Sequence, residues 1–194
     1  MKDLRAFALV LMGIVCGLIW GGACGGTVSM SSPVQSSPPV ALLSYDVPDG
    51  TSGGSNTGGT WTNRPLNTEV YDPAGIVTLG ANQFTLGPGT YLLSADQVFF
   101  DNVDNQKSFR GRLRNITAGT TAALSLSVRL HEGPSESATI SCPIPKTLVT
   151  LAAPATFELQ YFCQTADGGA QGLGWPWSTG EVERYASVSI EQIN

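Results

Sequence analysis

The chain contains a single histidine, His131, and charged residues occupy only 13% of its 194 positions. One imidazole, in an alternating stretch outside any recognisable motif, leaves little material for serine–histidine or metal–histidine chemistry. Of the 4 cysteines, Cys16 and Cys24 fall in an apolar leader, so only Cys142 and Cys163 belong to the body. Beyond residue 40 no segment follows a helical period; where apolar residues recur regularly, they do so at every second position. Basic residues number 10 against 15 acidic, and a net charge of −5 lacks the basic footprint of a nucleic-acid binder. The expectation is a protein without nucleic acid, metal or cofactor, and without catalytic residues.

What is plentiful points elsewhere. The chain holds 23 glycines and 12 prolines, with many serines and threonines. Low charge combined with turn formers and β-branched residues predicts an all-β sandwich or barrel, and a series of eight or more strands closing with a C-terminal one favours the antiparallel two-sheet sandwich.

The N-terminus reads as a signal peptide or an N-terminal anchor over 1–26. MKDLR supplies two basic residues, AFALVLMGIVCGLIW spans fifteen apolar or glycine positions, and GGACGG gives a small-residue exit. A membrane-spanning helix needs nearer ~20 apolar residues, which favours cleavage. Cys24 after Ala23 is similar to a bacterial lipoprotein processing site, although Gly21 departs from that pattern. Residues 27–40 form a Ser/Pro linker, and 41–194 the head domain. Membrane contact is expected only through an uncleaved leader. Cys142 and Cys163, an even pair in an exported chain, read first as a disulfide; a two-cysteine metal site is the alternative.

Strand candidates follow in quick succession. They are 41–47, a pair around Gly80-Ala81-Asn82 within 75–86, the apolar run 90–100, and 108–117. Next comes 121–132, with Leu124, Leu126, Val128 and Leu130 expected on its buried face. Residues 137–151 carry Pro143 and Pro145 and predict an edge or a bulge. Two alternating strands, 156–164 and 184–193, complete the set, and Trp61 is the residue of the 49–61 loop expected to dock on the fold.

The segment NQFTLGPGTYLLSADQVFF resembles the part of complement component 1q heads and tumour-necrosis-factor-like domains where a Pro-Gly turn precedes a tyrosine-bearing central strand. LVTLAAPATFELQYF followed by YASVSIEQI looks like the later strands of the same jelly roll. The run GTWTNRPLNTEVYDPAGIVTLGANQFTLGPGTYLL is similar to domains at phage tail-fibre tips. This resemblance implies a jelly roll of about ten strands, assembly as a homotrimer, and binding in place of catalysis. It further implies that 108–117, 156–164 and 184–193 share the sheet facing the threefold axis, with 121–132 in the other.

KSFRGRLRN places Arg110, Arg112 and Arg114 on one face of a strand. With Glu158, Gln160, Phe162 and Glu191 they make a candidate trimer interface, in which carboxylates on neighbouring strands pair with the guanidinium groups. A solvated face with local pairs, and recognition of an anionic glycan or phosphate, are the other readings. Trp175 and Trp177 of GWPWS are the candidate ligand-binding residues, or else pack beneath their own Gly-rich loop. Asp96, Asp101 and Asp104 offer calcium ligands or simply satisfy turns. Asn115-Ile116-Thr117 matches a glycosylation acceptor.

Function then reads as a non-enzymatic trimeric binding module recognising a cell-surface glycan or protein receptor. Its setting is secreted or cell-surface, or alternatively a virion appendage such as a phage fibre. A structural oligomerisation or capping module is the second reading. A carbohydrate-active enzyme using Glu158, Glu181, Glu183 and Glu191 is the third.

Overall fold

The computed structural model describes residues 37–101, 107–130, 137–166 and 169–193. The leader, most of the Ser/Pro linker, Asp104 and His131 lie outside the described residues. Thirteen strands form among those described, more than the expected ten or so. In chain order they are β1 (Val40–Val47), β2 (Trp61–Asn63), β3 (Thr68–Tyr71), β4 (Val77–Gly80), β5 (Gln83–Leu86), β6 (Gly89–Asp101) and β7 (Lys107–Asn115). There follow β8 (Thr120–Leu124), β9 (Val128–Leu130), β10 (Ala138–Ser141), β11 (Ile144–Leu151), β12 (Ala155–Cys163) and β13 (Glu183–Gln192).

The strands make two sheets with every recorded pair antiparallel. One runs β10-β6-β13-β1-β3, with β11 beside β6; the other runs β4-β5-β12-β7-β8, with β2 beside β12 and β9 beside β7. The architecture is the expected all-β jelly-roll sandwich.

Alternation explains the core. Phe157, Leu159, Tyr161 and Cys163 of β12 are buried while the residues between them are not, and Phe109 and Leu113 of β7 follow the same rule. Of these, Phe157, Leu159 and Leu113 join Leu43, Leu93, Val188 and Ile190 of the facing sheet in one cluster. Each such side chain contributes roughly 1.5–3 kcal/mol on burial. Phe84 stacks on Phe157 at 5.4 Å, deep in the main cluster. A second cluster joins Phe99, Phe109, Tyr161, Leu173 and both body cysteines.

Three expectations need correction. The strand expected over 121–132 is two strands, and the buried face assigned to it is right for Val128 and Leu130 but wrong for Leu124 and Leu126. Leu126 is 79% exposed, whereas Ser125 is buried. Ser125 exchanges hydrogen bonds with Gly111, through Oγ at 2.8 Å and through its own N–H at 2.9 Å. The pairing then slips by one residue: Arg112 faces Leu124, but Phe109 faces Val128. That slip turns Leu130 inward while leaving Leu124 and Leu126 outside.

The second correction concerns sheet membership. β7 and β12 are neighbours, as expected, but β13 lies in the opposite sheet, and β9 joins β7 instead of the other sheet. The third concerns sulfur. Cys142 and Cys163 are not joined by a disulfide. The Cys142 thiol points to Ser125 Oγ at 3.2 Å and the Cys163 thiol donates to Thr165 O at 2.7 Å, so each is satisfied locally. Burial pushes the Cys142 pKa up.

Two further expectations hold. Pro143 and Pro145 lie at the β10–β11 break, where both strands pair with β6 and the register shifts between Ile144 and Thr147. Trp61 docks as foreseen, its ring 5.7 Å from that of Phe162.

Candidate functional site

Two surfaces concentrate chemistry. The first is a cleft of about 400 Å³ lined by Phe100, Ser137, Ala138, Thr139, Trp175 and Trp177. Phe100 lies opposite Thr139 in the β6–β10 pair, so the sheet itself fixes one wall. Trp175 tilts against Phe100 with ring centroids 4.8 Å apart, and Trp177 is 76% exposed. The cleft therefore offers indole surface beside two hydroxyl side chains.

The loop carrying these tryptophans is held from below. Gly53 N–H donates to Gly174 O, and Leu173 N–H to Gly54 O, both at 2.9 Å. Gly174 has φ 137, and a Cβ at that position would overlap the Tyr185 ring, so glycine is required twice over. Arg64, fully buried, donates through Nη2 to Leu173 O at 2.6 Å and to Tyr185 O at 2.8 Å. Burial lowers its pKa to about 10, which leaves it charged at neutral pH. The Tyr45 and Phe99 rings, 5.8 and 5.9 Å from its guanidinium carbon, complete the enclosure.

Glu183 supplies the other anchor. Its Oε1 accepts the N–H groups of Trp177 and Ser178, each at 2.9 Å, and of Gly50 at 3.3 Å. The Ser178 N–H, followed by those of Trp177 and Gly50, holds the Glu183 pKa below its ordinary value against the opposing effect of desolvation.

The second surface is the outward face of β7 and its neighbours. Arg114 lies opposite Glu158, Arg112 opposite Gln160, and Arg110 opposite Phe162. The expected arginine–carboxylate pairs do not form. Glu158 instead accepts Gln83 Nε2 at 2.7 Å and Gln160 Nε2 at 2.6 Å. Arg112 lies 4.1 Å over the Trp61 ring and donates from Nε to Gln160 Oε1 at 2.8 Å. Burial, followed by repulsion from Arg114, lowers the Arg112 pKa. Arg129 faces Ser108 across the β7–β9 pair and thereby extends the same row.

The remaining candidates are dispersed. Glu191 is on the opposite sheet, paired with Lys146 at 2.9 Å, so the expected seven-residue interface does not occupy one face. Glu158 and Glu191 are likewise divided between the sheets. Asp101 makes a buried ion pair with Lys107 at 2.7 Å, while Asp96 accepts Ser141 Oγ at 2.7 Å. Asn115, largely buried, accepts Ala118 N–H within its turn.

Sequence reading found the two tryptophans but not Phe100 or Arg64, and it named Glu183 only as a carboxylate of the enzyme reading. Phe100 meets Trp175 75 positions away, the side-chain hydrogen-bond partners of Arg64 are 109 and 121 away, and Gly50 is 133 from Glu183.

No family model matches the chain, and no curated protein matches it. Among solved structures it is similar to murine APRIL at pH 5.0, with a TM-score of 0.50 and 12% identity, covering 80% of this chain and 99% of that one. It is also similar to Eiger TNF from S. frugiperda, with a TM-score of 0.50 and 12% identity, covering 82% and 94%. The fold class these define is the tumour-necrosis-factor-like jelly roll.

Proposed function

We propose that the chain is a non-enzymatic binding head, exported or carried on a surface or virion appendage, that takes a cell-surface glycan in its tryptophan cleft. The cleft carries this reading. Indole faces stack on the apolar face of a sugar ring, while neighbouring hydroxyls meet the ring's polar edge. Support for Trp177 from Glu183, and for Leu173 from Arg64, means that little ordering is left for binding to accomplish. A glycan array on the purified chain tests this reading. Binding to a defined set of saccharides, lost in Trp177→Ala, supports it; no binding across the array favours a structural capping module.

The same reading includes a homotrimer, in line with the resemblance to tumour-necrosis-factor-like domains. Its contact is assigned to the outward face of β11, β6, β13 and β1. There Leu148 lies beside Leu92, and Ser94, Ser189 and Leu42 form the next rung. Small side chains permit close approach, and Leu148, 59% exposed, supplies apolar area. The arginine face is the poorer choice, because burying several unpaired guanidinium groups is costly.

A further inference from the structure

The cations of this protein are distributed unevenly. Of the 10 lysines and arginines, Lys2 and Arg5 lie outside the described residues. Arg64 and Lys107 are buried, and Lys146 and Arg184 are ion-paired on the surface. Those left, Arg110, Arg112, Arg114 and Arg129, all stand on one face, and none forms an ion pair among the described residues. In a chain of net charge −5, every surface cation among the described residues that has no acidic partner there is therefore in a single row.

The geometry points to a second binding surface on this face, and we propose that it takes an extended anionic polysaccharide carrying sulfate or carboxylate groups. Successive arginines on β7 are about 6.7 Å apart, so the row presents positive charge at regular intervals along a line. A single exposed pair is weak and screened by salt, which disfavours a lone small anion and favours a chain that engages several arginines together. The guanidinium fork matches sulfate and carboxylate equally well.

Other polymers fit less well. β7 is flanked by β12 on one side and by β8 and β9 on the other, so its backbone offers no open edge for an added peptide strand. Trp61 carries Arg112 on its ring and Phe162 beside it, which removes it as a platform for stacked bases. The acid on this face, Glu158, is tied to Gln83 and Gln160, and Gln160 and Asn63 stand opposite one another as partners for sugar hydroxyls.

A biosensor assay on the full chain tests the proposal, with heparin as the sulfated polymer, polygalacturonate as the carboxylated one and dextran as the neutral one. Binding to heparin, to polygalacturonate or to both, without binding to dextran and weakening as salt rises, is the expected result. The Arg110→Gln/Arg114→Gln/Arg129→Gln variant should lose at least about tenfold in affinity and show a shallower salt dependence. The Arg110→Gln/Arg129→Gln variant, which alters only exposed side chains, should give an intermediate loss. Trp177→Ala should leave this binding unchanged, which separates it from the tryptophan cleft. Unaltered affinity in the triple variant, silence with both anionic glycans, or binding confined to polyglutamate or single-stranded DNA would overturn the proposal.

Discussion

Glu183 Oε1 accepts the backbone N–H of Trp177 at 2.9 Å. The contact ties the most exposed of the described tryptophans to the first residue of β13. A glutamate at the start of a strand thereby sets the position of a loop residue six places earlier. The architecture of the ligand cleft depends on this bond as much as on the indole itself.

The Glu183 pKa is lowered in the fold, so its contribution to stability is fully present above the ordinary glutamate value of 4.5. That contribution is lost as pH falls through the lowered value. Tryptophan fluorescence should therefore report loosening of the loop only below pH 4.5, and Glu183→Gln should abolish that transition. An acid transition of the same midpoint in Glu183→Gln would place its origin elsewhere.

Gly174→Ala combines a positive φ of 137 with overlap against the rigid Tyr185 ring. A loss of at least about 2 kcal/mol in denaturant unfolding is expected. Gly59, also at positive φ but with open space around it, is the control; Gly59→Ala should cost about 1 kcal/mol.

Lys107 and Asp101 are both buried, and their ion pair joins the first residue of β7 to the last of β6. Lys107→Met removes the counter-ion of a buried carboxylate. Thermal and chemical unfolding should show a loss of about 3–5 kcal/mol. Lys146→Met, which breaks an exposed pair with Glu191, should change stability by less than about 1 kcal/mol.

Because Cys142 and Cys163 are not bonded to each other, reduction should leave Tm unchanged. Alkylation followed by intact-mass measurement should label both residues after denaturation without any reductant. A mass two hydrogens lower, with labelling only after reduction, would restore the sequence expectation.

How much was legible in the sequence depended on what set each element. β12 was legible residue by residue, because one buried face and period two leave no other arrangement for Phe157, Leu159 and Tyr161. β8 and β9 were not, because the one-residue slip between them follows from the tertiary bonds between Ser125 and Gly111. The arginine row was visible as a spacing, yet its partners were misassigned. Strand order along the chain does not say which sheet receives β13. Arg64 gave no signal, since an arginine is read as a surface residue until a cage for it is seen. The cleft was half visible: the tryptophans are two positions apart in sequence, but Phe100 and Thr139 reach them only through the β6–β10 pair.

The division of labour between the two sheet faces is open to one direct measurement, sedimentation equilibrium on the purified chain beside Ser189→Arg and Arg110→Glu. Ser189 is central on the face proposed for trimer contact and Arg110 is exposed on the arginine face. The wild-type chain and Arg110→Glu should sediment as trimers, whereas Ser189→Arg should fall to monomers. A monomeric wild-type chain, or assembly destroyed by Arg110→Glu and preserved by Ser189→Arg, would contradict the account.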